Sequence, residues 1–84
     1  MQHGKPEAAV TIFELNAERF PESANAQDSL AEGYEATGQP EKAAAAYRRV
    51  LERLEAPAGR AAYTQEFREQ LAERARAKLA ELAP

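Results

Sequence analysis

Apolar residues recur along the chain at steps of three and four, which is the spacing of one face of an α-helix. Ala9, Val10, Phe13 and Ala17 make a first stripe, and Ala26, Leu30, Tyr34 and Thr37, with Ala31 beside them, make a second. Ala43, Ala46, Tyr47, Val50, Leu51 and Leu54 form a broader third stripe. Tyr63, Phe67, Leu71, Ala75, Leu79 and Leu82 form a fourth. Pro6, Pro21, Pro40 and Pro57 fall between or at the starts of these segments, with Gly4, Gly38 and Gly59 nearby. The pattern predicts four helices, near residues 6–19, 23–37, 40–55 and 60–82. No run alternates with a period of two for long enough to predict a strand, so the expected fold class is all-α.

The junctions have identifiable causes. Ser23 can accept from a free amide in the first turn of the second helix. Gly38 can take the left-handed conformation that closes that helix after Thr37. Pro40 suits the first turn of the third helix, and Glu41 favours its positive end. A connection this short makes the second and third helices antiparallel neighbours. Gly4, Lys5, Pro6 and Glu7 spell nearly the same junction.

Composition sharpens the expectation of a lean core. Of 84 residues, 44% are apolar, yet only thirteen are Leu, Ile, Val or Phe. Alanine dominates, and alanine is the strongest helix former. The formal net charge of −3 gives no electrostatic basis for nucleic-acid or anionic-membrane binding. The absence of cysteine excludes disulfides, thiolate metal sites and cysteine nucleophiles. No apolar run is long enough to span a bilayer, and residues 1–10 lack the pattern of a signal peptide.

Sliding the chain by 34 residues aligns Gly4 with Gly38, Pro6 with Pro40, Glu7 with Glu41 and Ala9 with Ala43. Phe13 then meets Tyr47, Glu18 meets Glu52, Arg19 meets Arg53 and Phe20 meets Leu54. A period of 34 with two helices per unit resembles the tetratricopeptide repeat family. Residues 24–57 resemble one full repeat, with Leu30, Ala31 and Tyr34 in its first helix and Ala43, Tyr47 and Val50 in its second. Residues 4–21 resemble the second half of a preceding repeat, and residues 60–82 a C-terminal capping helix. Gln27, Asn16 and Glu55 depart from the family pattern. The resemblance implies one domain over 1–84, a right-handed stack of antiparallel helix hairpins, and no catalytic activity. The stretch from Phe13 to Glu32 also resembles short repeat tails that follow bacterial serine hydrolases.

Candidate chemistry is sparse. His3 is the single histidine, and Ser23, Ser29, Thr11 and Thr64 have no histidine or lysine placed to activate them. Glu14, Glu18 and Glu22, and likewise Glu66, Glu69 and Glu73, read as solvated helix faces. Arg48, Arg49 and Arg53, and Arg74, Arg76 and Lys78, are interleaved with glutamates and read as surface ion pairs. No catalytic, metal or cofactor residue is expected.

In the family, the first helix of each repeat lines a groove for an extended peptide. Here that face would carry Asn25, Asp28, Ser29 and Glu32, whose acidity disfavours a carboxylate ligand and suits a basic or polar segment of a protein partner. Gly33, in the same helix, reads as tolerated rather than required. The first helix has none before it, so Val10, Phe13 and Ile12 are expected to be partly exposed. That exposure implies self-association as a homodimer through Val10 and Phe13, or packing on an absent N-terminal domain. In the second case the chain would be a C-terminal accessory segment of a larger protein.

Overall fold

The computed structural model describes residues 6–82, which form five helices and no strand among the described residues. They are α1 (Pro6–Arg19), α2 (Ala24–Ala36), α3 (Pro40–Glu55), α4 (Pro57–Ala62) and α5 (Gln65–Leu82). The all-α expectation holds. The junction at Gly4 and Lys5, and His3, lie outside the described residues.

The boundaries of α2 and α3 follow the local chemistry. Ser23 Oγ accepts from the Ala26 amide at 3.1 Å and caps α2. Gly38 adopts φ +71°, while the Gln39 amide reaches back to the Tyr34 carbonyl at 2.8 Å. That bond satisfies one of the carbonyls that a helix end leaves free. Pro40 then opens α3, where a missing N–H removes nothing.

The expected single helix over 60–82 is two helices. Pro57 starts α4 earlier than the apolar stripe does, because Pro is preorganised for the first helical position. Tyr63 is extended, at φ −119° and ψ 146°. Thr64 Oγ1 accepts from the Phe67 amide at 3.1 Å and restarts the helix as α5. Arg68 holds the corner, donating to the carbonyls of Tyr63 at 2.7 Å and Arg60 at 3.2 Å. Residues 57–82 are therefore a short helix, a corner and an 18-residue helix.

α2 packs against both α1 and α3, and α3 also packs against α5. Of the fourteen buried apolar residues among those described, seven are alanine, five of them with no exposed surface. Small side chains let the helix axes approach closely, so the lean composition becomes a tightly spaced core. Tyr47 and Val50 are its largest fully buried side chains.

Gly33 serves the same end. A Cβ there would lie 3.0 Å from Phe13 Cδ2 and 3.1 Å from Val10 Cγ2, so its absence admits α1. Gly59 is more constrained still, because a Cβ would collide with the Arg53 carbonyl oxygen.

The 34-residue correspondence exposes an asymmetry. Ala43, Ala46, Tyr47, Val50 and Leu54 are all buried in α3, which forms its most extensive helix pair with α2. Their counterparts are Ala9, Ile12, Phe13 and Asn16 in α1 and Phe20 just beyond it, which are half-buried or exposed. Ile12 is 63% exposed where Ala46 is 0%. Val10 differs from the expected partial exposure: it is buried, at 7%, against the open backbone of Gly33.

Urea unfolding should rank the glycines by these constraints. Gly38→Ala should cost about 1 kcal/mol, because alanine must adopt a positive φ. Gly59→Ala should cost more, about 2–3 kcal/mol, because the obstacle is backbone and cannot rotate away. Equal losses would show that α4 shifts freely on α3.

Candidate interaction surface

Asn25, Asp28, Ser29 and Glu32 lie on one side of α2 because steps of three and four return to the same face. Glu35 extends the row by a further turn. The structure leaves Asn25 and Glu32 exposed, half-buries Ser29, and buries Asp28 to 8% exposure. The cover over Asp28 comes from α5. Arg74 Nη1 lies 3.4 Å from Asp28 Oδ2, and Arg74 Nη2 pairs with Glu32. One turn on, Lys78 Nζ lies 3.5 Å from Glu35 Oε1. Two cations four residues apart on α5 thus answer three carboxylates on α2.

Nothing in the local pattern marks Arg74 as the partner of Asp28, which is 46 positions away. The matching periodicities are the available signal: 28, 32 and 35 on one helix, 74 and 78 on another. The cations expected to serve surface ion pairs do so, as at Arg53 and Glu52, and two of them also tie helices together elsewhere. Arg53 Nε donates to the Pro21 carbonyl at 2.6 Å, joining α3 to the α1–α2 turn. Arg49 Nε donates to Gln27 Oε1 at 2.8 Å.

Burial pushes the Asp28 carboxyl above its ordinary 3.8, Arg74 opposes the shift, and Glu35 adds to it. Asp28 Oδ1 is buried without a hydrogen-bond partner. The Tyr47 hydroxyl, on α3, is likewise buried and unpartnered. Burial raises the Tyr47 phenol strongly, and the negative charges of Glu35 and Asp28 raise it further, as does the approach of the Glu35 carboxylate to the hydroxyl, which stops short of a well-formed hydrogen bond. Acidic α2, basic α5 and this buried phenol therefore meet in one polar layer beside the apolar core.

On the other flank of α2, Tyr34 donates to Glu14 Oε2 at 2.7 Å. Burial first, and then that bond, raise the Tyr34 phenol. Glu14, Glu18, Gln27, Tyr34 and Arg49 line an open groove of about 440 Å³ there. Its polar lining comes from α1, α2 and α3 together, so no single helix pattern reveals it.

Of the residues expected to mediate self-association, Val10 is enclosed within the fold and Phe13 is half-buried over Gly33. Burial takes Val10 out of any contact surface. The large apolar residues exposed among those described are Ile12, Leu15 and Phe20. Among the described residues, no group of three or more His, Cys, Asp or Glu is placed to hold a metal ion. No helix among them is long and apolar enough to cross a membrane.

Compared with protein-family models, curated proteins and solved structures, the chain finds no match.

The polar layer sets two expectations. Because the folded state raises the Asp28 pKa, the associated stability is fully present below the unfolded value of 3.8. It is lost as pH rises through the folded value. Urea midpoints measured across acidic pH should show a smaller decline for Asp28→Asn than for the parent chain. Tyr47→Phe removes a buried hydroxyl without a partner and should be neutral or stabilising by up to about 1 kcal/mol. A loss of that size would instead reveal a hydrogen bond to the hydroxyl.

Proposed function

We propose that this chain is a non-catalytic, tetratricopeptide-like module that binds a protein or peptide partner by shape and surface complementarity. The carrying observation is the 34-residue correspondence. Pro6 and Pro40 begin equivalent helices, and the aromatic pair Phe13 and Tyr47 recurs at the same step in each. Stacking of such units buries each against its neighbours and leaves an extended outer surface.

The partner is a basic or polar segment. Support comes from the cations that the acidic row of α2 already holds within the molecule: Arg74 at Asp28 and Glu32, and Lys78 at Glu35. The part still open to a partner comprises Asn25, Ser29 and the exposed Glu32. A guanidinium or ammonium placed there would meet carboxylate oxygen without having to enter the buried Asp28 site.

The test is an amide NMR titration of the chain with a helical peptide carrying two lysines four residues apart. Its counterpart carries glutamates in their place. Shifts concentrated at Asn25, Ser29 and Glu32 with the lysine peptide, and absent with the glutamate peptide, are expected. No change with either peptide, or equal changes with both, would overturn the reading.

A further inference from the structure

The groove of about 440 Å³ between α1, α2 and α3 has walls of opposite chemistry. Gln27, Leu30 and Tyr34 recur at three and four residues along α2 and form its floor. Glu14 and Glu18, one turn apart on α1, form a wall of hydrogen-bond acceptors. Arg49 of α3 faces them with donors. The volume falls within the roughly 300–1,000 Å³ of small-molecule sites.

Gln27 shows that a donor is aimed into this space. The residue is only 5% exposed. Arg49 Nε can only donate, so the Gln27 atom 2.8 Å from it is the oxygen, and the amide nitrogen turns elsewhere. That nitrogen has no protein acceptor among the described residues. It is also not fully covered, unlike the unpartnered Asp28 Oδ1 and Tyr47 hydroxyl, so its open side faces the groove that Gln27 lines. The terminal nitrogens of Arg49 are equally uncommitted, since only its Nε is engaged. On the opposite wall Tyr34 donates to Glu14 Oε2 and leaves Oε1 free. Glu18 is exposed, with no partner among the described residues.

We propose that this groove binds a free basic amino acid, of which lysine is the type. Its carboxylate would meet the Arg49 guanidinium and the Gln27 amide, and its two ammonium groups Glu14 and Glu18. The charges are the inverse of one another: two carboxylates and one guanidinium line the groove, and lysine carries two ammoniums and one carboxylate. Lys42 Nζ lies 5.7 Å from the centroid of the Tyr34 ring but outside the lining, so it does not alter that balance within the groove. Spacing agrees with charge. Four residues of α1 rise about 6 Å, which suits two nitrogens joined by a five-carbon stem. Leu30 and Ala17 offer that stem apolar surface.

Simpler ligands match less of the site. A lone anion would be repelled by Glu14 and Glu18, and a lone cation would leave the Gln27 and Arg49 donors unanswered. An apolar molecule would desolvate both walls without replacing their hydrogen bonds. The groove lies on the other flank of α2 from Asn25, Ser29 and Glu32, so the proposal is independent of the peptide-binding reading.

An NMR titration of the full chain with lysine at fixed pH tests it, with sodium chloride at matched ionic strength as the control. Saturable shifts at Glu14, Glu18, Tyr34 and the Gln27 side-chain amide are expected, with a Kd of about 1–10 mM. Lysinamide lacks the carboxylate, norleucine lacks the side-chain ammonium, and lysine acetylated at its α-nitrogen lacks the other cation. Each should bind at least about threefold more weakly. Glu18→Gln, at an exposed position, should weaken lysine about three- to tenfold. Gln27→Glu keeps an oxygen for Arg49 Nε but turns the free donor into an acceptor. It should weaken lysine at least about tenfold and leave lysinamide binding in place, with helicity retained by circular dichroism.

No saturable change up to about 50 mM lysine would overturn the proposal. So would shifts that sodium chloride reproduces, or shifts centred on Asn25, Ser29 and Glu32. Undiminished binding of the α-acetylated lysine would overturn the free amino acid as the ligand and favour the last residue of a chain. A folded Gln27→Glu chain that binds lysine normally would also overturn it. If that variant does not fold, Glu18→Gln and the ligand series decide, and indifference to both would be equally fatal.

Discussion

The structure depends on how closely other helices can approach α2. It meets α1 and α3 through apolar contacts and meets α5 through charge. Such crowding is possible only because Ala24 and Ala31 are small and Gly33 has no side chain at all. The energetic consequence is double-edged. Each alanine removes little apolar surface from water, yet the short interhelical distances give the larger residues, Leu30, Tyr47 and Val50, dense surroundings. A helix lined with larger residues would bury more area but force its neighbours apart. Val10 and Phe13 would then lose the surface over Gly33 on which they sit.

Apolar contact alone does not define the third neighbour. Only Leu71 and Ala75 of α5 are buried, and the rest of its alignment rests on partly buried side chains and on charge. Arg74 and Lys78 repeat at the period of the α2 carboxylates, so they specify a register more sharply than two apolar contacts could. The cost is a desolvated carboxyl, with Asp28 Oδ1 unpartnered, and a Tyr47 hydroxyl buried in the field of the Glu35 and Asp28 carboxylates. Buried polar groups that lower stability can still select one alignment among several. Here they coincide with the helix whose apolar face is thinnest.

The features legible in the sequence were those with local causes. Ser23, Gly38 and Pro40 act through bonds and torsions within a few residues, and α2 and α3 begin and end where those residues require. The corner at Tyr63 and Thr64 was illegible because neither glycine nor proline marks it. The apolar period runs through it unbroken from Tyr63 to Phe67, and the decisive interactions are a threonine cap and Arg68 reaching back to α4. Among surface residues, the acidic side of α2 was legible from spacing, but the burial of Asp28 was not, because α5 returns from far along the chain. Val10 became a core residue for a similar reason: its cover depends on the missing side chain of Gly33, on another helix.

These long-range effects give the two ends of the stack different characters. At the α5 end, exposed glutamates and arginines present a hydrated surface on which apolar packing stops. At the α1 end, the face that α3 buries remains open. Its residues are not the alanines of α3: Ile12 stands where Ala46 stands, and Phe20 where Leu54 stands. An alanine face admits a neighbour at close range, whereas isoleucine and phenylalanine hold it farther out. Asn16, at the place of Val50, adds a polar group that must stay hydrated or find a partner. A helix covering α1 in the manner of α2 on α3 would therefore meet both larger side chains and a buried amide. The side centred on Ile12 and Leu15 shares Ile12 with that face but leaves Asn16 toward its edge. The substitutions within an otherwise matching pattern thus make this face of α1 a poorer seat for a closely packed helix than the corresponding face of α3.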